Sequence, residues 1–450
     1  MVLLRGTLSP PGDKSMTHRA LIFASLVKGR VDIEGALLSG DTRASALALR
    51  KLGLSMTVEQ KERGADIAIV SPGILEIRRN FAACADSRGG GAAPDCLFDC
   101  GNSGTTMRLL AGLCAGLAGG TFVFDGDASL RRRDMKRILA PLSDLGAGYR
   151  YLGAEGFAPF ELRGERLNGG DFNLTVSSAQ VVTALILAGL SADSPLRVST
   201  PYVVRDHTLR ALRFMGADIS VPRQDGAAHG GTALAVRPLD RDLMPCRFSI
   251  PGDISSCAFF LVAAAILPGS EVTLLNVGVN PGRTLVIDVL RRMGVEISYL
   301  NEREVCGEPV CDLFVQAPAS LQATDVTAEE VPSGIDEIPA LALAFAFASG
   351  RSTVSGAGEL KQKESNRLKL LTDNLQGAGV AVEAYDDGFA VQGKGFLAGG
   401  GFWRTDLDHR LAMIGMVASL AAREPLKLEE KESCAVSYPQ FESDLKSLLA

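Results

Sequence analysis

Aromatic residues and histidines are scarce in this chain of 450 residues. Phe, Tyr and Trp make up 6% of it, with a single Trp, and there are four His. The nine Cys include no Cys-x-x-Cys pair, so the usual ligand spacing of a zinc site is missing and we expect no metal centre. The cores must be filled mainly by Ala, Leu, Val and Ile, which favours close packing of helices on sheets.

Long apolar segments and an excess of positive charge are also missing. The longest apolar run, 257–267, is shorter than the ~20 residues that cross a bilayer. The first residues lack the apolar core of a signal peptide. A net charge of −6 argues against binding of nucleic acid through bulk positive charge. We therefore expect a cytoplasmic protein with reduced thiols and with no membrane or nucleic-acid partner.

An internal repeat is visible in the sequence. The segment Pro11-Gly12-Asp13-Lys14-Ser15 recurs as Pro251-Gly252-Asp253-Ile254-Ser255, and each copy precedes an apolar, helix-like run. The chain therefore divides into two related halves. We predict that residues 13–251 form one domain, and that residues 1–12 plus 252–450 form the other, which is split in sequence.

Each half divides further into three α/β units. Every unit starts with a capping residue and a run of small or branched apolar residues, and these starts are Ser15, Ser103, Ser178, Ser255, Asp336 and Asp408. Apolar runs such as 340–347 are typical of helices buried on every side. A second, amphipathic helix follows and ends in Gly before an alternating strand; its last copy, 441–449, is cut short. The stretches 85–93 and 226–231 are predicted loop insertions.

Polar residues gather at the predicted starts of the buried helices, where free N–H groups and the helix dipole favour anions. They are Lys14, Ser15, Arg19, Asn102, Gly104, Thr105, Ser178, Ala179, Gln180, Asp336, His409 and Arg410. Arg133, Arg205 and the cluster Lys363, Glu364 and Arg367 come from the amphipathic helices. Each could be a simple N-cap or a solvated charge. Their repetition at one topological position instead predicts a shared polar surface between the halves.

The residue types indicate the ligand chemistry. Seven cations suit a small polyanion, because Arg pairs with phosphate and carboxylate in bidentate fashion; they are Lys14, Arg19, Arg133, Arg205, Lys363, Arg367 and Arg410. Lys363 and Arg367, four residues apart, are predicted on one helix face. Asp336 and Glu364 could act as acid and base. There is no Walker loop or Rossmann fingerprint. The residues predict an enzyme for phosphorylated carboxylates that closes on its ligands.

Six motifs in this order resemble the 5-enolpyruvylshikimate-3-phosphate synthase family over nearly the whole chain. They lie at 11–19, 101–108, 205–208, 251–256, 363–367 and 408–413. The resemblance implies a two-domain inverse α/β barrel-like enolpyruvyl transferase fold of six βαβαββ units, three per domain, joined by a double crossover near residues 12 and 252. It also implies a monomer that works by induced fit without a cofactor.

The resemblance also implies the reaction. The 5-hydroxyl of shikimate 3-phosphate adds to C2 of phosphoenolpyruvate and inorganic phosphate leaves, a step of chorismate and aromatic amino-acid biosynthesis. Shikimate 3-phosphate would contact Lys14, Ser15, Arg19, Ser178, Ala179, Gln180, Arg205, Asp336 and Lys363. Phosphoenolpyruvate would contact Lys14, Gly104, Arg133, Gln180, Arg367 and Arg410. Asp336 would take the hydroxyl proton and Glu364 would handle the methylene proton with help from Lys14, while Asn102, Thr105 and His409 would support the site.

The chain departs from the family pattern at three positions. Asp134 replaces the usual Pro after Arg133, Asn366 stands where Asp is common, and Val436 occupies a position where some members have a Lys that contacts ligand. We expect any effect of these changes to fall on phosphoenolpyruvate affinity. Inhibitor-insensitive members often carry Ala at the position of Gly104, so the glycine is compatible with sensitivity to glyphosate, which the sequence does not decide.

Two alternatives stay open at this point. UDP-N-acetylglucosamine enolpyruvyl transferases share the fold and the donor, but they begin with Lys-Asn where this chain has Lys14 and Ser15, and they usually carry a loop Cys that the segment 126–130 lacks. A metabolite-binding protein without activity would be expected to lose the acid and base, yet Asp336 and Glu364 are both in place.

Overall fold

The structure is a computed structural model that describes residues 2–87, 96–175, 177–221 and 231–450. Its contacts divide the chain into two compact units. We call Gly12–Ile250 the continuous unit, and Met1–Pro11 with Pro251–Ala450 the split unit. The repeat predicted a continuous domain of residues 13–251, so each predicted boundary lies one residue further along the chain than the boundary in the structure. Of the predicted loop insertions, 85–87 are helical, and 88–93 and 226–230 lie outside the described residues.

The α-helices of the described residues are labelled α1 to α13 in chain order. They are Lys14–Phe23, Gly40–Lys51, Ile74–Ser87, Gly104–Ala115, Lys136–Asp144, Ala179–Gly189, His207–Phe214, Ile254–Ile266, Leu285–Arg292, Ile338–Phe347, Arg367–Gly377, His409–Ala421 and Phe441–Ser447. Across the described ranges, none of these helices is long and apolar enough to span a bilayer.

The strands are labelled β1 to β22 in the same way. They are Arg5–Leu8, Lys28–Ala36, Ser55–Gln60, Ala65–Pro72, Cys96–Asp99, Thr121–Asp125, Gly148–Tyr151, Phe160–Arg163, Gly170–Asn173, Leu196–Ser199, Ile219–Ser220, Ala233–Val236, Arg247–Ser249, Glu271–Gly278, Glu296–Val305, Glu308–Gln316, Leu321–Gln322, Ala348–Val354, Ala381–Ala384, Phe389–Lys394, Phe402–Trp403 and Lys427–Leu428.

Five four-stranded sheets share one topology. Their orders are β13-β2-β4-β3, β5-β6-β8-β7 and β9-β10-β12-β11 in the continuous unit, and β1-β14-β16-β15 and β17-β18-β20-β19 in the split unit. In each sheet the first two strands are parallel, and the other two pairings are antiparallel. In three of the sheets a buried helix joins the two parallel strands directly (β5-α4-β6, β9-α6-β10 and β17-α10-β18), which gives the βαβαββ pattern that the resemblance implied. The sixth unit is shorter, with the parallel pair β21-β22 and the helices α12 and α13.

Two of these sheets take their first strand from a distant part of the sequence. Strand β1 pairs with β14, so that Arg5 lies opposite Glu271, and strand β13 pairs with β2, so that Arg247 lies opposite Asp32. The two copies of the Pro-Gly-Asp repeat directly follow β1 and β13 in sequence. The chain therefore leaves one unit and enters the other at each copy of the repeat.

The buried helices form the centre of each unit. In the split unit α8, α10 and α12 pack against one another, and every residue of α8 is buried, as its continuous apolar run predicted. In the continuous unit α4 packs against α1 and α6. Helices α4 and α6 approach closely at Gly112, where an added Cβ would lie 2.3 Å from the backbone oxygen of Ala184. This contact sets the N-terminal ends of the two helices side by side.

Substitution of Gly112 by Ala is therefore expected to destabilise the continuous unit. The new methyl group can be accommodated only if α4 and α6 move apart, which should lower the free energy of unfolding by about 1–3 kcal/mol. Urea unfolding measures this change. Gly40→Ala is the matched control, because its added Cβ would meet nothing within 4 Å in the first turn of α2. Equal stability of the two variants would contradict this account of the helix contact.

Candidate active site

The predicted site residues divide into one set in each unit. We call the first the Lys14 cluster, in the continuous unit, consisting of Lys14, Ser15, Arg19, Asn102, Gly104, Thr105, Arg133, Ser178, Ala179, Gln180 and Arg205. We call the second the Arg367 cluster, in the split unit, consisting of Asp336, Lys363, Glu364, Arg367, His409 and Arg410. Most members lie at or just before the first turn of a buried helix, as the repeat predicted.

Lys14 is the first residue of α1 and is held by a carboxylate. The side chain of Asp13 caps the helix by accepting from the N–H of Met16 at 2.8 Å. The Nζ of Lys14 then lies 3.0 Å from Oδ2 of Asp41 on α2, and both side chains are largely buried. Asp41 was not predicted, because in the sequence it is an ordinary acidic residue in the first turn of an amphipathic helix. Only the packing of α2 against α1 brings it to Lys14.

Arg19 lies one turn after Ser15 and is buried. Its Nη1 donates to the backbone oxygen of Ser15 at 3.0 Å, and its Nε donates to Oγ1 of Thr208 on α7 at 2.8 Å. Its Nη2 lies 3.3 Å from Oγ1 of Thr183 on α6. Arg19 thus ties the start of α1 to two further helices, in addition to the ligand contact that the resemblance implies.

The loop before α4 positions Arg133. The Nη2 of Arg133 donates to Oδ1 of Asn102 at 2.7 Å, and Nδ2 of Asn102 donates to Oδ2 of Asp127 at 2.7 Å. A Cβ at Gly104 would lie 3.3 Å from Nη1 of Arg133 and 2.9 Å from Nη1 of Arg108, so glycine leaves room there for both guanidinium groups. Asn102 therefore orients Arg133.

Gln180 joins α6 to α4 and reveals a residue that the sequence analysis did not select. Its Nε2 donates to Oγ1 of Thr105 at 2.9 Å, and its Oε1 accepts from Nη1 of Arg108 at 2.5 Å. Arg108 is buried, and it belongs to the motif at 101–108, which was the available signal. A charged residue on an apolar helix is expected to be buried only with a partner, and that rule could have identified it.

The start of α6 leaves its first residues exposed to a ligand. Ser178 is the N-cap, but within the described residues its hydroxyl makes no capping hydrogen bond, while the neighbouring Ser177 bonds to the backbone oxygen of Tyr202 at 3.1 Å. Ala179 begins the helix. Arg205 lies half-buried just before α7. The hydroxyl and the helix N–H groups suit an anionic ligand.

Arg367 is the centre of the second cluster and is 1% exposed. Its Nε donates to Oδ2 of Asp408 at 2.7 Å, its Nη2 to Oε2 of Glu364, and its Nη1 lies 3.5 Å from Oδ1 of Asp336. The Nζ of Lys363 lies 3.6 Å from the same oxygen of Asp336. One buried guanidinium therefore fixes both carboxylates that were predicted to transfer protons.

The prediction that Lys363 and Arg367 share a helix face is wrong. Lys363 ends the 3-10 helix Gly358–Gln362, and α11 begins at Arg367. The helix cannot start earlier because Asn366 is its N-cap, whose Oδ1 accepts from the N–H of Lys369 at 3.1 Å. The two cations still meet at Asp336, because the turn between them directs both side chains to that carboxylate.

Burial and neighbouring charges shift the pKa values of Arg367 and Asp408 in opposite directions. Burial by itself would lower the pKa of Arg367, but the charge of Asp408, followed by those of Glu364 and Asp336, outweighs burial and raises the pKa above that of an ordinary arginine. Burial by itself would raise the pKa of Asp408, yet the guanidinium of Arg367 holds the pKa below its usual range. Both groups are therefore ionised at neutral pH.

The start of α10 differs slightly from the prediction. The helix begins at Ile338, so Asp336 lies in the preceding turn, where its backbone oxygen accepts from Nη1 of Arg410 at 3.1 Å. The N-cap is Glu337, which is fully buried, accepts from the hydroxyl of Ser255 and lies 3.8 Å from Nη1 of Arg410. Glu337 was not selected as a site residue because its partners, Ser255 and Arg410, lie on other helices.

Asp408 follows a strained turn. Its N–H donates to the backbone oxygen of Thr405 at 2.9 Å, and the residues between them, Asp406 and Leu407, have φ of 47° and 61°. This is type I′ geometry, which Asn-Gly usually adopts. Oε2 of Glu430 accepts from the N–H of Leu407 at 2.8 Å and from Oγ1 of Thr405 at 3.0 Å. The placement of Asp408 thus depends on a residue outside the motif.

Known proteins match the chain over almost its full length. A family model described as EPSP synthase (3-phosphoshikimate 1-carboxyvinyltransferase) matches residues 2–445. The 3-phosphoshikimate 1-carboxyvinyltransferase of Synechococcus sp. strain WH7803 is 42% identical over 445 residues, which are 99% of this chain and 96% of that protein. The chain belongs to the EPSP synthase family. The family and the enzyme class predicted from the motifs are confirmed.

Solved structures agree with this family assignment. The EPSP synthase of Acinetobacter baumannii superposes with a TM-score of 0.82 at 34% identity, covering 99% of this chain and 96% of that one. The enolpyruvyl transferase NikO of Streptomyces tendae has a TM-score of 0.73 at 18% identity, covering 99% and 95%, and shows a likeness of fold. The predicted enolpyruvyl transferase fold is confirmed. The reaction of the EPSP synthase family is the one that the sequence predicted.

The departures from the family pattern have local explanations at two positions. Asp134 accepts from the N–H of Lys136, the first residue of α5, at 2.8 Å. Asn366 caps α11 through its side-chain oxygen, which an Asp would also do. Val436 ends the 3-10 helix Lys431–Val436 and is exposed.

Cys100, which precedes the loop at Asn102, is buried. Burial, together with the charges of Asp99 and Asp125, raises the pKa of its thiol well above the ordinary value. The sulfur is therefore a protonated thiol at neutral pH and a poor nucleophile.

The ion pair between Asp408 and Arg367 predicts a dependence of stability on pH. Asp408→Asn should lower the free energy of unfolding by about 3 kcal/mol at pH 7, because a buried guanidinium loses one of its charged partners. Since the folded-state pKa of Asp408 is lowered, the contribution of the pair is complete above about pH 4 and is lost as the pH falls through the folded-state pKa. The difference between variant and parent should therefore shrink on acidification, which urea unfolding at pH 7 and pH 3 measures.

Asp373→Asn provides the control for this experiment. Asp373 pairs with Lys369 on the same helix, but both side chains are at least half exposed. Its loss should cost less than about 1 kcal/mol at either pH. Equal effects of the two substitutions at pH 7 would contradict the importance of the buried pair.

Proposed function

We propose that residues of the Lys14 and Arg367 clusters bind shikimate 3-phosphate and phosphoenolpyruvate and catalyse transfer of the enolpyruvyl group between them. The observation that carries this assignment is the bonding of Arg367 to both Asp336 and Glu364. Two carboxylates held by one rigid guanidinium keep a fixed separation, which a two-step proton transfer requires. Lys14, fixed by Asp41, adds a cation for the anionic ligands.

The proposed chemistry uses the two carboxylates in sequence. Asp336 removes the proton of the 5-hydroxyl as that oxygen attacks C2 of phosphoenolpyruvate, while a proton reaches the C3 methylene through Glu364 with help from Lys14. The resulting tetrahedral intermediate loses phosphate from C2, the leaving phosphate takes the proton held by Asp336, and a proton returns from C3 to Glu364, which restores the double bond and both carboxylates. Lys363 and Arg367 lie next to the carboxylate of Asp336, so both stabilise its ionised, proton-accepting form.

Substrate contacts are proposed by charge and position. Shikimate 3-phosphate binds Lys14, Ser15, Arg19, Ser178, Ala179, Gln180, Arg205, Asp336 and Lys363. Phosphoenolpyruvate binds Lys14, Gly104, Arg133, Gln180, Arg367 and Arg410. Preorganised Arg side chains, such as Arg133 on Asn102 and Arg367 on Asp408, suit an anionic transition state because they need no rearrangement during the reaction.

We also propose that each unit is a folding domain and that the protein is a cytoplasmic monomer. The two units each have their own helical core, which is what an independent domain requires. The described cysteines are free thiols, in keeping with a reducing compartment. Size-exclusion chromatography with light scattering tests the monomer: a mass near 47.4 kDa is expected, and a dimer mass would contradict it.

The decisive experiment measures release of inorganic phosphate from phosphoenolpyruvate with shikimate 3-phosphate as acceptor, beside a parallel reaction with UDP-N-acetylglucosamine. We expect release with the shikimate ester and none with the UDP-sugar. Release with the UDP-sugar in place of the shikimate ester would favour the related enolpyruvyl transferase. Binding of both substrates without release would favour a metabolite-binding protein.

Asp336→Asn tests the assignment of the base. The amide keeps the shape of the side chain but cannot accept the proton, so kcat should fall by about 100-fold or more, while the Kd of shikimate 3-phosphate changes only a few-fold. Steady-state kinetics and calorimetry measure the two quantities. Asp386→Asn, at an exposed carboxylate paired with Lys361, is the control and should leave both unchanged. A kcat near that of the parent would exclude Asp336 as the base.

A further inference from the structure

A buried chain of hydrogen bonds connects three helices of the continuous unit and starts at His18. Nδ1 of His18 on α1 lies 2.8 Å from Oγ of Ser45 on α2, and this oxygen lies 2.8 Å from Oγ1 of Thr106 on α4. Oγ1 of Thr106 is also 2.7 Å from Oγ of Ser103 and 3.2 Å from the backbone oxygen of Asp41. All four side chains are at most 1% exposed. We call these four residues the His18 chain.

The imidazole of His18 is neutral. Burial lowers the pKa of His18 to about 3, against the opposing charge of Asp41, because a buried imidazolium would lose its water. A neutral ring has one N–H and one bare nitrogen. Within the described residues Nε2 of His18 is buried without a hydrogen-bond partner, so the bond to Ser45 is the one polar contact that the ring shows there.

The surroundings of Thr106 favour one direction of the chain. The hydroxyl of Thr106 has two other acceptors, the backbone oxygen of Asp41 and Oγ of Ser103, which favours donation from Ser45 to Thr106 over the reverse. Ser45 must then accept from an N–H at Nδ1 of His18. If Nδ1 accepted from Ser45 instead, the ring proton would be on Nε2, where the N–H would be buried and unpaired. A buried N–H without an acceptor costs more free energy than a buried nitrogen without a donor, and it is rarer in proteins.

The chain ends beside two members of the Lys14 cluster, Gly104 and Lys14. Ser103 is the N-cap of α4 and accepts from the N–H of Thr106 at 3.1 Å, so it fixes the turn that begins with Gly104. Asp41, whose backbone oxygen accepts from Thr106, holds Nζ of Lys14 through its carboxylate at 3.0 Å. Movement of Thr106 would therefore shift both Gly104 and Lys14.

We propose that His18 is a positioning residue for enolpyruvyl transfer, which sets Lys14 and Gly104 through Ser45 and Thr106 without contact to either substrate. The proposal rests on the proposed binding of phosphoenolpyruvate by Lys14, Gly104 and Arg133. The proposal gives a role to His18, a buried titratable group that takes no proton in the proposed reaction. A fully buried chain suits this purpose because its bonds do not exchange with water and strengthen one another.

Two substitutions of His18 separate its hydrogen bond from its volume. His18→Asn keeps an N–H donor at the position of Nδ1, whereas His18→Leu keeps a branched side chain without a donor. We expect kcat/KM for phosphoenolpyruvate to fall about tenfold in His18→Leu and to stay within about threefold of the parent in His18→Asn. Ser45→Ala should reproduce the loss of His18→Leu. The double variant should be no worse than either single one, because both break the same chain.

Ser25→Ala is the matched structural control. Ser25 lies just after α1, is fully buried, and its hydroxyl donates to the backbone oxygen of Ile22 at 2.6 Å, outside the His18 chain. It should lower the Tm without changing kcat/KM. If His18→Leu does not fold, Ser45→Ala and His18→Asn carry the test with the same expected values. Three results would each overturn the proposal. The first is a kcat/KM in Ser45→Ala near that of the parent, and the second is a fall of kcat/KM in His18→Asn as large as that in Ser45→Ala. The third is a double variant in which the losses of kcat/KM of the two single variants add.

Arg133→Lys separates this inference from the proposed function. If Arg133 binds phosphoenolpyruvate, the KM for that substrate should rise in this variant. A raised KM in Arg133→Lys together with parent-like kinetics in His18→Leu and Ser45→Ala overturns the positioning role only. A parent-like KM in Arg133→Lys contradicts the proposed binding assignment itself.

Discussion

The buried guanidinium of Arg367 is the interaction on which the chemistry of the split unit depends. A charge at 1% exposure is tolerable only with ionised partners, and Arg367 has three carboxylates around it. Because the guanidinium is planar and rigid, these carboxylates occupy set directions. The need to neutralise one buried cation therefore also fixes the relative positions of Asp336 and Glu364, the two carboxylates for which we propose proton transfer.

In the continuous unit, close helix packing and hydrogen bonds between neutral groups also fix the positions of polar side chains. Its helices α4 and α6 touch at Gly112, which sets their first turns side by side and allows Gln180 to bond Thr105 and Arg108. The hydroxyls of the His18 chain then hold α1, α2 and α4 in register. Hydrogen bonds that are fully removed from water are costly to break, so this network supports the helices that carry Lys14 and Gly104, beside the ion pair between Lys14 and Asp41.

Much of the candidate site was predictable because it lies at helix starts. A helix start can be read from a capping residue followed by an apolar run, and the apolar faces of α8, α10 and α12 were confirmed in this way. The error at Lys363 and Arg367 has a physical cause, since a spacing of four residues implies a shared face only inside one helix, and Asn366 caps α11 between them. Asp41 and Glu337 were missed because their partners lie on other helices.

The sequence by itself determined the two related halves, the family, and the charged residue types at the helix starts, because these follow from motif order and residue chemistry. The tertiary structure decided which atoms pair. It showed that Arg367 joins Asp336 and Glu364, that Glu430 supports the turn before Asp408, and that His18 connects to Thr106. These contacts depend on the register in which separate helices pack, which is set by the shape of whole side-chain surfaces and leaves no local pattern in the sequence.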